Sequence, residues 1–231
     1  MKKLIQKLLP IFIITSQVFA FAGFGLSGNQ SLFSVDESTS NLLLQDNIVG
    51  SFTSSAFSNG YGIGGYLYID AIPIIDIDIE GNSFFSFYDF SFANPVDTVK
   101  KQLATGAISG YLTAQKKIFE LSIPFLAKAK LAAGGGINFH ISPPIIDQKM
   151  LEGIMPAGTN IANGTVNTTE LIKYIDENKK SSSGFHVQAG LQFKVFLLDS
   201  FIYYRHVFGA KDVIPGGNGF GSLNLRLGMG I

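Results

Sequence analysis

The 231-residue chain has no cysteine, no tryptophan and few charges, and past its first 26 residues it has no long apolar run. Without cysteine there is no disulfide, no thiolate metal site and no lipid-bearing cysteine. Charged residues make up 15% of the chain, with 17 basic against 17 acidic side chains. The basic surplus that nucleic acid demands is missing, so no nucleic-acid partner is expected. No later segment approaches the roughly 18–20 apolar residues of a membrane helix. Yet the mean hydropathy is +0.29. Glycine (26), phenylalanine (21) and tyrosine (8) are plentiful. Apolar residues spread through a glycine- and aromatic-rich chain point to strands.

The N-terminus reads as an address. Lys2, Lys3 and Lys7 precede a short apolar core of Leu8, Leu9 and Ile11 to Ile14. Val18-Phe19-Ala20 and Ala20-Phe21-Ala22 both fit a small-x-small cleavage site. Residues 1–22 are therefore expected to be a secretory signal, cleaved after Ala20 or Ala22, with 23–231 as one exported domain. The competing reading is an uncleaved anchor helix over Leu8 to Leu26, which Thr15, Ser16 and Gln17 interrupt.

Period-two alternation recurs along the rest of the chain, the mark of strands with two unlike faces. Ile75, Ile77 and Ile79 oppose Asp76, Asp78 and Glu80. Leu67 and Ile69 oppose Tyr66, Tyr68 and Asp70, and Ile137 and Phe139 oppose Asn138 and His140. Phe185, Val187, Leu191 and Phe193 oppose His186, Gln188, Gln192 and Lys194. Leu223, Leu225, Leu227, Met229 and Ile231 oppose Ser222, Asn224 and Arg226. Eight strands are predicted, at about 22–29, 59–71, 74–90, 104–117, 123–141, 184–195, 199–208 and 220–231. Breaks near Ile72-Pro73, Phe119 to Ser122 and Phe196 to Asp199 are short, whereas segments 30–58, 91–103, 142–183 and 209–219 are long. In the third long segment Thr168 to Lys180 has helical spacing.

Alternation also occurs in half-buried soluble strands. Here an export signal accompanies it, one face carries charges along long strands, and the other face is almost purely apolar. In hydrocarbon every backbone polar group must be paired, so a sheet there must close on itself. Short turns at one end and long loops at the other complete the layout of a transmembrane β-barrel. The fold class predicted is all-β: a single eight-stranded antiparallel barrel with short periplasmic turns and long extracellular loops. The alternative is a secreted lipocalin-like barrel with its apolar face inward.

The closing stretch LNLRLGMGI, with GYGIGGYLYIDAIP and FHVQAGLQFKV, resembles the small bacterial outer-membrane β-barrel family, the group that contains the transmembrane domain of outer-membrane protein A. Members end on a strand that doubles as an assembly signal and finishes on an apolar, usually aromatic, residue. Leu223, Leu225, Leu227, Met229 and Ile231 match that alternation, with Ile231 in place of the usual phenylalanine. The resemblance implies outer-membrane localisation, contact with outer-membrane lipid, and recognition by the barrel-assembly machinery through the last strand. It does not indicate an extracellular partner.

Inward-facing Asp70, Asp76, Asp78 and Glu80, against Lys128, Lys130, Lys194, Arg205 and Arg226, form the candidate lumen charge network. An eight-stranded barrel has an interior just wide enough for side chains to fill. Unpaired charges there are costly. The main expectation is thus a plugged barrel with a structural or surface-interaction role through its loops. The alternatives are a small pore, a hydrophobic-ligand channel entered near Phe84 to Phe92, and a cation site on the Asp76-Asp78-Glu80 row. By resemblance those aromatics form an interfacial girdle. His140 and Ser142 locally resemble the His-x-Ser pair of an outer-membrane lipid A deacylase, for which Glu152 or Glu170 would supply the acid. Family members carry that pair on the lipid-facing surface, whereas alternation turns His140 inward. Three scattered histidines give no metal spacing, and no cofactor is expected.

Overall fold

The computed structural model describes residues 22–44, 47–72, 75–93, 98–123, 127–146, 150, 168–211, 213–214 and 217–230. Among them run β1 (Ala22–Val35), β2 (Ser38–Leu44), β3 (Asn47–Ser54), β4 (Phe57–Ile72), β5 (Ile75–Ala93), β6 (Thr98–Ile123), β7 (Ala127–Ser142), α1 (Thr168–Asn178), β8 (Lys180–Val195), β9 (Leu198–Phe208) and β10 (Gly219–Gly230). Every strand pairing is antiparallel. Eight strands, β1, β4, β5, β6, β7, β8, β9 and β10, close into one ring. The seam between first and last strand is complete, with Gly23 opposite Gly230 and Leu32 opposite Gly221.

Side-chain alternation sorts the two faces. On β5, Asp76, Asp78 and Glu80 are buried while Ile75 and Ile79 are exposed. On β10, Ser222, Asn224 and Arg226 are buried while Leu223, Leu225, Leu227 and Met229 are exposed. The barrel is apolar outside and charged inside. That is the reverse of a soluble protein and rules against the lipocalin-like alternative, so the ring is a transmembrane β-barrel. Exposed Phe24, Phe119, Phe193 and Phe196 stand towards the short-turn end, and Tyr61, Phe85, Phe87 and Phe185 towards the other. These are the positions of interfacial aromatic belts. A two-residue turn joins β8 to β9, and Phe196 takes φ of +54° there. Tight hairpins require positive φ at such a position.

Several expectations need correction. Segment 30–58 holds more than a loop: β1 runs on to Val35, and β2 and β3 form a hairpin whose Ser51–Ser54 pairs with Phe90–Ala93 of β5. Its apolar residues run together as Leu42-Leu43-Leu44 and Ile48-Val49 instead of alternating, so it shows no contrast between faces. Most of the expected loop 91–103 is strand, because β5 and β6 stay paired out to Ala93 and Thr98. The turn expected at Phe119 to Ser122 is strand: β6 continues to Ile123, opposite Ala127, with a register shift between Lys117 and Phe119. That irregularity breaks the alternation from which the turn was read. The helix expected over Thr168 to Lys180 is α1.

The aromatic row is also not a plain girdle. Only Phe85 and Phe87 face out; Phe84, Tyr88, Phe90 and Phe92 are buried. They pack with Val35, Phe52, Phe57, Met150, Val207, Ala210, Ile214 and Phe220, and Leu171, Tyr174 and Ile175 of α1 lie against them. Phe52 stands between Phe90 and Phe92, with ring centroids at 5.9 and 5.1 Å. This apolar core fills the long-loop end of the barrel.

Candidate functional site

Below the apolar core the lumen is polar. Its centre is Glu80, which alternation on β5 turns inward. Arg205 Nη1 donates to Glu80 Oε1 at 3.0 Å and Arg205 Nη2 to Oε2 at 3.2 Å. Arg226 Nε donates to Oε2 at 2.8 Å, and Arg226 Nη2 to the same oxygen. Tyr203 OH and Asn82 Nδ2 also donate to this carboxylate. Arg226 Nη1 reaches Asp78 Oδ2 at 2.8 Å, and Gln115 Nε2 reaches it at 3.0 Å. Gln188 Oε1 accepts from Arg205 Nε at 3.0 Å and from Arg205 Nη2 at 2.9 Å. The Arg205 guanidinium lies 3.8 Å over the Tyr111 ring, and Arg226 lies 4.7 Å over both Tyr66 and Tyr203. The side chains of Asp78, Glu80, Arg205 and Arg226 are at most 1% exposed. Charges this deep persist only when paired and fully hydrogen-bonded.

The other network residues lie nearer the short-turn end. Lys130 pairs with Asp76. Asp70 stands beside Asp76, within electrostatic reach of Lys130 and Lys128. Lys128 pairs with Glu120 at 3.1 Å, and Lys194 with Asp199 at 3.9 Å. Glu120 and Asp199 are partners that sequence reading missed. Each lies next to a strand end or an irregularity, where alternation is hardest to follow. Tyr68 OH donates to Asp199 Oδ2. The Asp76-Asp78-Glu80 row therefore faces Lys130, Arg226 and Arg205, which leaves it no net negative charge to attract a cation. No group of three or more His, Asp or Glu side chains suited to a metal occurs among the described residues.

His140 is buried in the lumen, as is Ser142. The hydroxyl that meets the imidazole belongs to Ser109, across on β6, with Oγ 2.7 Å from His140 Nδ1. Its other nitrogen is 3.1 Å from Asn138 Oδ1. A serine, an imidazole and an amide are thus linked, but all three are buried, and the Tyr111 and Phe220 rings stand 5.7 and 5.8 Å from His140. Glu170 is exposed in the first turn of α1, and Glu152 lies outside the described residues. In the C-terminal strand, Leu223, Leu225, Leu227 and Met229 form the outward row of β10, and Ile231 lies outside the described residues.

No family model and no curated protein matches the sequence. Among solved structures the chain is similar to the N-terminal β-barrel domain of OprF from Pseudomonas aeruginosa, at 7% identity and a TM-score of 0.39, over 90% of this chain and 99% of that one. It is also similar to the outer membrane protein OprG of Pseudomonas aeruginosa, at 11% identity and a TM-score of 0.41, over 90% and 93%. A further match is Ail, the attachment invasion locus protein of Yersinia pestis, at 12% identity and a TM-score of 0.36, over 90% and 96%. By its own closed eight-stranded ring, apolar exterior and charge-paired lumen, the chain is a small transmembrane β-barrel.

Proposed function

We propose that this outer-membrane barrel is plugged, catalyses no reaction, and serves the envelope as a structural or surface-interaction protein through its extracellular end. The observation that carries this reading is the double obstruction of the lumen. Glu80, Arg205, Arg226 and Asp78 cross-link the middle of the barrel, and the aromatic core around Phe84, Phe92 and Phe220 fills the end above it. A conducting path needs a continuous polar lumen, and the aromatic core interrupts it. What faces the outside is α1 and the sheet extension built by β2, β3 and the far ends of β5 and β6. Outer-membrane lipid contacts the apolar exterior. The alternating row on β10, at the seam that closes the ring, supports its role as the strand read by the barrel-assembly machinery.

Planar-bilayer recording of the refolded mature chain tests the plug. Silence is expected from protein shown to be inserted. Steady, reproducible open-channel steps would overturn the reading.

A further inference from the structure

The barrel wall has a step at its short-turn end. β6 stays paired with β7 down to Ile123, opposite Ala127, but its last pairing with β5 is Gln115 opposite Asp76. From Lys116 to Ile123 nothing among the described residues pairs with the β5-side edge. An open edge presents a row of unpaired N–H and C=O groups. In hydrocarbon such groups are costly, so the step calls for a polar partner at the membrane boundary.

Lysines gather at this step. Lys117 and Lys128 share Glu120 at 2.9 and 3.1 Å, and Lys130 pairs with Asp76. Asp70 and Asp76 lie within electrostatic reach of Lys117 on the lumen side. Four lysines thus meet three carboxylates, and Lys116 has no ion pair or hydrogen bond among the described residues. It stands opposite Ala133 and is exposed on the outer face. Leu112 precedes it on that face, and Ile118 and Phe119 follow it, all three exposed. The spare cation therefore stands between apolar stretches of the lipid-facing wall.

We propose that the step at Lys116 binds the head group of an anionic, hydroxyl-bearing phospholipid, of the phosphatidylglycerol kind, from the leaflet at the short-turn end. The phosphate oxygens accept from the Lys116 ammonium and from the edge N–H groups, a charge-assisted contact. The glycerol hydroxyls donate to the edge carbonyls. A choline head group has no such donor, and its own cation opposes Lys116. The acyl chains then run over Leu112 towards the bilayer centre. The inference goes beyond the plugged reading and needs only the membrane-spanning ring.

The chain has no tryptophan, so one can be introduced as a fluorescent reporter. Leu112→Trp places it above the step, and Leu225→Trp on β10 is the control elsewhere on the outer face. Each variant of the refolded mature chain is inserted into phosphatidylcholine vesicles that also contain phosphatidylglycerol and phosphatidylethanolamine. One of the three lipids at a time carries brominated acyl chains. Brominated phosphatidylglycerol should quench Leu112→Trp as though enriched about fivefold over its bulk share, and Leu225→Trp only in proportion to that share. Adding Lys116→Gln to the reporter should abolish the enrichment, and Lys116→Arg should retain it. Equal quenching by all three lipids, an equal enrichment of phosphatidylethanolamine, or an enrichment that survives Lys116→Gln would overturn the proposal. Conductance does not enter this readout, so failure of the lipid site and failure of the plug are told apart.

Discussion

Glu80 and Arg205 are 125 residues apart in the chain and 3.0 Å apart in the lumen. Arg226, 146 residues from Glu80, closes on the same carboxylate from the last strand. One carboxylate therefore holds two guanidiniums from adjacent strands on the far side of the ring. Glu80→Ala should cost about 3–5 kcal/mol, because it leaves buried Arg205 without a carboxylate and Arg226 with Asp78 alone. Adding Arg205→Leu to Glu80→Leu should recover part of that loss. Urea-unfolding midpoints in lipid vesicles decide it; a double variant less stable than Glu80→Leu would contradict the pairing.

The inward and outward aromatics of β5 separate in the same assay. Phe92 is 5% exposed and packs on Phe52, whereas Phe85 is 48% exposed on the outer face. Phe92→Ala should cost about 3–5 kcal/mol as a core cavity. Phe85→Ala should cost clearly less. Equal losses would return the row to a girdle.

Ile79 lies between Asp78 and Glu80 in sequence yet faces outward, 49% exposed. An arginine placed there meets lipid rather than a carboxylate. Ile79→Arg should destabilise the inserted barrel by about 2–4 kcal/mol if it lies near the bilayer midplane. Retained stability in bilayers would argue that this face is not in hydrocarbon.

Gly64 is required by a close approach. A Cβ there would strike Asn82 Oδ1 and the Gly81 carbonyl oxygen, displacing the amide that Ser27 Oγ bonds at 2.8 Å. Gly64→Ala should cost about 1–3 kcal/mol by overpacking. Gly110→Ala, where nothing lies within 4 Å, serves as the tolerated control. Similar midpoints for the two variants would dismiss the steric argument.

His140→Ala should leave the lipid A profile of an expressing strain unchanged, since the imidazole is enclosed by Tyr111 and Phe220. Loss of a modification present in the parent strain, with the barrel still folded, would make His140 catalytic.

Which face of each strand looks inward was legible from local pattern alone. Alternation is a property of two neighbouring residues and the pleat, and the severe contrast of isoleucines against acids on β5 survives any choice of partners. The closed ring followed as well, because lipid leaves no other home for such a sheet. The ends of strands were less legible. Around Ser38 to Ser54 the apolar residues run together instead of alternating, and at Lys117 to Phe119 a register shift interrupts the period.

What the sequence determined by itself was polarity: a charged interior, an apolar exterior, eight ring strands and one helix in a long loop. Only the tertiary structure decided partnership. Lys128 meets Glu120, His140 meets Ser109 across on β6, and two arginines share Glu80 while Asp78 keeps one oxygen without a donor among the described residues. Each outcome depends on how residues on separate strands are levelled when a tilted sheet closes on itself. Stagger around a ring is a global quantity, and no local pattern of residues carries it.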